Sequence, residues 1–442
     1  MVKKDNDLCL QCHRANEYDT KAHHFHKKKG EKGVPITSAD GRVLFDVGTG
    51  AECVQCHMPG RIYMGVDYRP DHSFRVPRPD LSVKIGTPDA CKRCHFDKTS
   101  QWSDQTITKW YGSGRKRHYG SIIDAGRKQR PDVRKDLIRL AGDPLYPVIV
   151  RATAISLLTT YPGEDTSQAI KLALMDDEAL IRRTAVESIV PTNQKEKIEL
   201  IAPLLYDPVK AVRIEAARRL AEEPSWHPDP DQEKVFKAVL KEFVASMEYS
   251  ADFAFGRYNL GNLYVALNRP EEAIRNYLAA IKIDELFYPA KVNLAMFYNK
   301  RGENDKAEEQ LREVVKAHPD LHDISYSLGL LLAEMKKYDS AVVYLKKAAK
   351  GMPERPRVHY NLGLLLQYLK KDAEAEGALL KALKIEPDNM AYLYALADFY
   401  LKNGKLQKAK SIALQMVAKH PEKPIGKELL GIIERNSPKS NK

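Results

Sequence analysis

The pattern of apolar and polar positions divides the chain into zones with different periods. Residues 1–130 show little helical periodicity beyond short pieces. A repeat with equivalent positions at 150, 181 and 212 runs through 131–225, and a slightly longer repeat, with equivalent positions at 261, 295 and 329, begins near residue 254. Small and branched apolar side chains held at one phase of such a period are typical of stacked helix pairs. We therefore expect a mainly α protein in which an irregular N-terminal module precedes an α-solenoid.

The zone 131–225 repeats an apolar residue followed by arginine. This pair recurs at a constant spacing, and two columns of small or branched apolar residues keep the same spacing. The members are Val150-Arg151, Ile181-Arg182 and Val212-Arg213, with Ala154, Ala185 and Ala216 in one column and Leu158, Ile189 and Leu220 in the other. A pair of this kind at the start of the second helix of each unit resembles HEAT repeats, which implies three HEAT-like units here.

The zone 254–423 has a more regular pattern. Small residues, alanines and closing prolines stand in three columns whose members are equally spaced. The columns are Gly261, Ala295, Gly329, Gly363 and Ala397, then Ala273, Ala307, Ala341, Ala375 and Ala409, and finally Pro319, Pro353, Pro387 and Pro421, with Glu285 in place of the first proline. Small residues let two helices approach closely and proline ends the second helix, so the zone resembles five tetratricopeptide repeats. A helical bridge over 226–253 and a capping helix with a polar tail over 424–442 complete this expectation.

The first zone offers few elements that periodicity can predict. Two short apolar runs, 34–37 and Val43–Phe45, flank the turn residues at 39–41, which predicts a β-hairpin. The proline-rich run 74–80 predicts an extended loop. A zone this irregular has few side chains for a conventional core, so bound cofactors are expected to supply the missing apolar mass.

All six cysteines lie in this zone, in three Cys-x-x-Cys-His motifs. The motifs comprise Cys9, Cys12 and His13, then Cys53, Cys56 and His57, and finally Cys91, Cys94 and His95. This spacing suits c-type haem, because the two thiols capture the vinyl groups and the adjoining imidazole binds the iron. Zinc is the alternative, since Cys-x-x-Cys pairs that meet in twos provide four ligands, but an odd number of pairs fits zinc badly. The sequence predicts three covalently bound c-type haems whose proximal ligands are the three motif histidines.

The second axial position of each iron distinguishes an electron carrier from a catalyst. Outside the motifs, the first zone contains five histidines in three loci, which are His23, His24 and His26, then His72, then His118. If each locus supplies the second axial ligand of one haem iron, every iron has two imidazole ligands and none binds a substrate directly. A basic surface is the alternative reading of the first and third loci. The aromatic residues expected beside the porphyrin edges, or in a plain core, are Trp102, Trp110 and Tyr111.

Two of the motif segments resemble a known family. The stretch 52–59, followed by Asp71-His72 and then 90–95, is similar to the last two haem segments of cytochrome c nitrite reductase and of related multihaem cytochromes, some of which carry tetratricopeptide repeats. The resemblance implies a distal role for His72 and for a histidine upstream of the segment, as at 23–26. The catalytic haem of that family has lysine in place of the motif histidine, and no Cys-x-x-Cys-Lys occurs here. An ammonia-forming site is therefore expected only in a segment upstream of this chain.

Charge and cysteine chemistry restrict the location and the partners. The formal charge of +12 is uneven, because residues 1–130 carry 24 basic and 15 acidic side chains. Haem propionates are expected to pair with these cations, so no nucleic-acid partner is predicted. Covalent haem attachment takes place outside the bacterial cytoplasm, which predicts a periplasmic or extracellular protein. Positions 1–8 lack an apolar signal region and no later stretch resembles a membrane span, so we expect a signal peptide that has been processed or truncated.

Three functional hypotheses remain. The first is electron transfer through haems with two histidine ligands, with the helical repeats docking a redox partner protein, another protein or further copies of the chain. The second is a haem enzyme, or a subunit of one, that reduces nitrogen or sulfur oxyanions at a haem in an upstream segment. The third is a scaffold whose haems are only structural. The three histidine loci favour the first hypothesis, because they are sufficient to close three irons.

Overall fold

The structure, a computed structural model, describes residues 5–189 and 193–436 and is mainly helical. Contacts divide the chain into two compact units, residues 1–219 and 220–442. The finer boundaries expected at residues 130, 225, 253 and 423 stay predictions, and the polar tail lies outside the described residues. No helix within the described ranges is long and apolar enough to cross a membrane.

The first unit begins with short elements joined by irregular segments. They are α1 (Asn6–Cys9), α2 (Ala15–Tyr18), α3 (Lys21–His24), β1 (Ile36–Thr37), β2 (Val43–Phe45), α4 (Cys53–His57), β3 (Arg61–Tyr63), β4 (Asp67–Arg69), α5 (Pro79–Ile85), α6 (Ser100–Tyr111) and α7 (Tyr119–Arg127). The predicted hairpin is confirmed, since β1 and β2 pair antiparallel with Ile36 opposite Phe45. The antiparallel hairpin of β3 and β4 was not predicted. Three residues connect the paired Tyr63 and Asp67, and Met64 and Gly65 at the centre of the turn 63–66 both have positive φ, at 50° and 79°, as turns of the primed type require.

The extended loop predicted for 74–80 is wrong at its C-terminal end. Helix α5 begins at Pro79, because proline fits the first turn of a helix, where its missing N–H leaves no hydrogen bond unmade. Asp80 lies in the same first turn and forms an ion pair with Arg78 at 2.8 Å. A carboxylate at this end of a helix also interacts favourably with the helix dipole.

This N-terminal region has almost no conventional core. Among the described residues of 5–130, the buried apolar side chains are Ala51, Pro79 and Leu81. Large apolar side chains nevertheless lie exposed, including Ile62 at 67% and Phe74 at 64%. Hydrophobic burial, which stabilises most folded domains, is therefore small here within the polypeptide alone.

The rest of the first unit consists of packed helices. They are α8 (Arg134–Gly142), α9 (Val148–Leu158), α10 (Glu164–Ala173), α11 (Ala179–Ser188), α12 (Gln194–Ile201) and α13 (Lys210–Ala221), which continues past the unit boundary. The three apolar columns found in the sequence are buried throughout. Arg151 pairs with Asp176, and Arg182 pairs with Asp207 through a 2.7 Å hydrogen bond. The arginine and its aspartate have the same sequence separation in both pairs, so this repeat also has a polar component.

The second unit contains a long helix and five helix pairs. They are α14 (Pro230–Tyr249), α15 (Ala254–Ala266) with α16 (Pro270–Ile283), α17 (Tyr288–Lys300) with α18 (Asn304–Ala317), α19 (His322–Glu334) with α20 (Tyr338–Gly351), α21 (Pro356–Tyr368) with α22 (Asp372–Ile385), α23 (Met390–Lys402) with α24 (Leu406–Lys419), and a last helix, α25 (Ile425–Asn436). The alanine column of the sequence is fully buried in all five pairs. A Cβ added at Gly329 would lie 2.8 Å from Leu345, which explains why this column needs a small residue.

Candidate functional site

The three Cys-x-x-Cys-His motifs converge on one cavity of about 910 Å³ in the N-terminal region. Its lining includes five of the six motif cysteines, all three motif histidines and the first histidine locus, namely Cys9, Cys53, Cys56, Cys91, Cys94, His13, His57, His95, His23, His24 and His26. Cys12 is exposed and lies outside this lining. Motifs that are far apart in the sequence thus share one site.

Each motif forms a turn of helix. The backbone N–H of His13 donates to the carbonyl of Cys9 at 3.0 Å, and that of His95 donates to the carbonyl of Cys91 at 2.9 Å. The middle motif is helix α4 itself. Residues three and four apart on a helix are neighbours, and in the second and third motifs both thiols and the imidazole line the same cavity.

Burial determines the protonation state of the thiols. It raises the pKa of the Cys53 thiol to about 11 and that of the Cys91 thiol to about 12, and it also raises the pKa values of Cys56 and Cys94. These four thiols are therefore protonated at neutral pH when no metal is bound. In the described part of the chain, no group of three or more histidine, cysteine, aspartate or glutamate side chains converges as a metal site.

The imidazole of His57 is oriented by the backbone. Its Nδ1 lies 3.0 Å from the carbonyl oxygen of Arg75. A carbonyl can only accept, so Nδ1 carries the proton and Nε2 keeps a free lone pair. This is the tautomer in which a histidine binds a metal through Nε2.

Two histidines of the first locus face two motif histidines across the cavity. The ring centroids of His23 and His57 are 6.1 Å apart and the ring planes are within 7° of parallel. Those of His26 and His95 are also 6.1 Å apart, with planes inclined at 39°. Two imidazoles that share one metal through bonds of about 2 Å have centroids about 6 Å apart, so each pair leaves room for one iron. Burial lowers the pKa values of His23 and His95, which favours the neutral rings that a metal binds.

The other two histidines near the cavity differ from these pairs. The Nε2 atom of His24 is buried and has no hydrogen-bond partner among the described residues. The exposed ring of His13 lies against Tyr18, with centroids 5.4 Å apart. The site therefore has two matched histidine pairs and a third motif histidine beside a tyrosine.

The remaining distal candidates lie away from this lining. His72 is exposed, and its Nδ1 donates to the carbonyl of Pro70 at 3.0 Å. His118 precedes helix α7 and caps it, since its Nδ1 accepts from the N–H of Gly120 at 3.0 Å. Neither is brought to the motif histidines, and the assignment of both as iron ligands stays a prediction.

Aromatic and basic residues complete the lining. Trp102, Trp110 and Tyr111 line the cavity, and their packing against a porphyrin stays a prediction. Phe25, which sequence reasoning missed, stacks on Trp110 with centroids 4.4 Å apart. The position of Phe25 between His24 and His26 was the sequence signal that could have pointed to it.

The two arginine side chains of the cavity lining are held by a shared carboxylate, whereas Lys27 donates to the carbonyl of Lys32. Arg78 and Arg115 both line the cavity and both bind Asp80, at 2.8 and 3.2 Å. The Arg78 guanidinium lowers the pKa of Asp80 to about 2, so this carboxylate is ionised at neutral pH. The two guanidinium groups thus remain in place beside the apolar lining.

Comparison with known proteins bears on the second unit. Three family models described as tetratricopeptide repeat match residues 258–322 and 298–356, residues 356–389, and residues 378–411. Residues 258–411 are tetratricopeptide repeats. Tetratricopeptide repeats form a scaffold suited to protein–protein interaction. No curated protein matches the chain.

Solved structures resemble only part of the chain. One is MamA, at 20% identity, covering 37% of this chain and 95% of MamA with a TM-score of 0.35. Another is MamA from Desulfovibrio magneticus RS-1, at 19% identity, covering 38% and 96% with a TM-score of 0.36. YrrB, a tetratricopeptide-repeat protein with an unusual peptide-binding site, is 19% identical over 42% of this chain and 96% of YrrB, with a TM-score of 0.38.

Proposed function

We propose that this chain is a multihaem c-type cytochrome that relays electrons, carried on a helical-repeat scaffold that docks protein partners. The three cysteine pairs, Cys9 with Cys12, Cys53 with Cys56 and Cys91 with Cys94, would hold three haems through thioether bonds. His13, His57 and His95 would be the proximal iron ligands. When bound, each haem supplies an iron that accepts and returns one electron.

The observation that carries the proposal is the convergence of the three motifs on one cavity in which histidine rings face each other. His23 and His57, and likewise His26 and His95, stand 6.1 Å apart between centroids. Iron with imidazole on both sides has no open position for a substrate, which suits an electron carrier. One shared cavity would also keep the three haems close, as electron relay between them requires.

The lining of the cavity supports haem as the occupant. It is largely apolar and aromatic, while Lys27, Arg78 and Arg115 provide cations at its border. An apolar ring system with two carboxylates needs both kinds of environment. Pairing with haem carboxylates would account for part of the basic excess of residues 1–130.

The role of the repeats follows from a different observation. The family matches place tetratricopeptide repeats after the helical part of the first unit. We propose that they dock a redox partner protein, another protein or other copies of this chain, and that the HEAT-like helices of the first unit also take part in binding protein partners. We further propose a periplasmic or extracellular location, because covalent haem attachment takes place outside the bacterial cytoplasm.

One observation favours the enzyme as a second candidate. The ring beside His13 belongs to Tyr18 rather than to a histidine. An iron on His13 without a second imidazole would have an open position for a nitrogen or sulfur oxyanion. A high-spin signal in the purified native protein would favour this candidate, whereas an entirely low-spin spectrum favours electron relay.

The test is expression in a host that attaches c-type haem in its periplasm. Intact mass should exceed that of the polypeptide by three haems, and a variant with Cys91→Ala and Cys94→Ala should carry one haem fewer. Redox titration should then show reversible one-electron steps. A native protein that weighs no more than its amino acids, or that carries zinc instead, would contradict the proposal.

A further inference from the structure

A four-residue segment, 23–26, supplies both histidines that face motif histidines. His23 faces His57 and His26 faces His95, each at 6.1 Å between ring centroids. The two target histidines belong to different motifs, the second and the third along the chain. One short segment is therefore placed between two iron sites.

The backbone of this segment turns so that its side chains diverge. Helix α3 ends at His24, and Phe25 has a φ of 55°, in the left-handed region that ends the helical path. The ring of Phe25 stacks on Trp110, and the hydroxyl of Tyr111 donates to the carbonyl of His23. These contacts with helix α6 fix the position of segment 23–26, so the same helix positions both His23 and His26.

Hydrogen bonds give His26 and His24 different tautomers. The Nδ1 of His26 donates to the carbonyl of His24, which leaves the Nε2 lone pair of His26 free. The Nδ1 of His24 accepts the backbone N–H of His26 at 3.2 Å, so neutral His24 carries its proton on Nε2. A protonated Nε2 cannot bind a metal, and His24 is not suited to be a ligand in this conformation.

Gly50 provides the space for His26. A Cβ at this position would lie 2.4 Å from Cδ2 of His26, closer than side-chain atoms approach one another. The backbone at Gly50 therefore passes directly against the imidazole on one side. This contact limits the orientations of the ring that faces His95.

We propose that His23 is the second iron ligand of the haem held by Cys53, Cys56 and His57, that His26 is the second ligand of the haem held by Cys91, Cys94 and His95, and that His24 binds no iron. This assignment rests on the haem function proposed above. It places two irons on one short segment, so a movement of that segment changes both irons together.

The first experiment compares His23→Ala, His26→Ala and His24→Ala in the haem-loaded full chain by electron paramagnetic resonance. We expect His23→Ala and His26→Ala each to convert one low-spin iron to high spin, and His24→Ala to convert none. The low-spin signals should differ between the two irons, because nearly parallel imidazole planes and inclined planes produce different g values. An unchanged spectrum for His23→Ala or His26→Ala, or a high-spin iron in His24→Ala, would overturn the assignment.

A conservative replacement distinguishes ligand loss from unfolding. His23→Met and His26→Met retain a side chain that can bind iron, and methionine ligation raises the reduction potential. Each variant should shift the potential of one haem upward while the other haems keep theirs. Equal shifts of all haems would indicate a general structural change and refute the assignment.

Gly50→Ala tests the position of His26 without altering a ligand. We expect it to perturb the signal of the iron on His95 and to leave that of the iron on His57 unchanged. Gly114→Ala is the matched control, since a Cβ there meets nothing within 4 Å. Failure of the haem function itself has a separate signature, because the unmodified protein would then lack the mass of haem and show no haem spectrum.

Discussion

The tetratricopeptide repeats and the N-terminal region differ in where their apolar side chains lie. In the repeats, the helix pairs bury residues such as Leu294, Leu328 and Leu396 fully, in apolar clusters made of side chains from neighbouring helices. In residues 5–130, the buried apolar side chains of the described chain are Ala51, Pro79 and Leu81, and aromatic rings line a cavity instead. The repeats have a core made of polypeptide, whereas the N-terminal region is arranged around a space that another molecule can fill.

The largest effect that we expect from this contrast is a change in protease susceptibility when the cysteines are removed. If the proposed haems are bound, a variant with all six cysteines replaced by alanine should carry none, and residues 5–130 should then become susceptible to protease while the repeats stay resistant. Cleavage within 5–130 should be faster by more than about tenfold, because the apolar haem faces that would pack against this region are lost, and every ~1.4 kcal/mol of lost stability raises the cleavable open population tenfold. Limited proteolysis followed by mass spectrometry measures this difference.

The control for this experiment is contained in the same molecule. Peptides from residues 258–411 should appear at the same rate in the variant and in the haem-loaded protein. Equal protection of residues 5–130 in both proteins would mean that the N-terminal region is stable without a cofactor, and the comparison drawn here would fail.

The second prediction concerns the polypeptide core of the repeats. Leu345 is 1% exposed, and Leu345→Ala should lower the free energy of unfolding of the second unit by about 3 kcal/mol, since it leaves a cavity in a packed core. Leu330→Ala, at a position that is 38% exposed, is the matched control and should cost less than about 1 kcal/mol. Urea unfolding monitored by circular dichroism measures both. Similar losses at the two positions would contradict a core that is close-packed at Leu345.

The third prediction uses a carboxylate within the repeats. Hydrogen bonds from Lys405 and then Lys408 lower the pKa of Glu376 from its ordinary 4.5 to about 2, and its side chain is 18% exposed. Glu376→Gln should cost about 2 kcal/mol at pH 7, less than the full pKa difference implies because glutamine keeps some hydrogen bonds.

The sign of the pH dependence follows from the lowered pKa. The stabilisation from ionised Glu376 is fully present above about pH 4.5 and is lost as the pH falls towards 2, so the difference between wild type and variant should shrink over that range. Urea unfolding at pH 7, 4 and 3 measures it. Glu309→Gln, at an exposed position, should show little difference at any pH, and a constant difference for Glu376→Gln would contradict the ionic explanation.

The smallest effect is expected from replacing His72, a histidine of the N-terminal region that lies outside the cavity. His72 is exposed and lies outside the cavity lining, so His72→Ala should leave the low-spin signals of the isolated haem-loaded chain unchanged. The family resemblance implies the opposite, a distal role for this histidine. Electron paramagnetic resonance decides between them, and a new high-spin iron in His72→Ala would favour the resemblance.

Sequence periodicity predicted the repeats well, because columns such as Ala307, Ala341 and Ala375 report a packing contact that recurs in every unit. The three cysteine motifs were evident from their fixed local spacing, and the covalent haem attachment that this spacing predicts stays a prediction. The facing of His23 and His57 could not be predicted, because it depends on contacts between segments far apart in the chain. The hairpin of β3 and β4 was missed for a local reason, since Met64 is an unusual residue at a turn position with positive φ.

The bonds from Arg151 to Asp176 and from Arg182 to Asp207 restrict which insertions and deletions the zone 131–225 can accept. Each bond joins residues in neighbouring repeats of this zone, and the second bond lies one repeat further along the chain than the first. Removal or duplication of one whole repeat would restore an equivalent arginine opposite an equivalent aspartate. A shorter insertion within a helix would separate the partners, so this zone can gain or lose residues only in complete repeats.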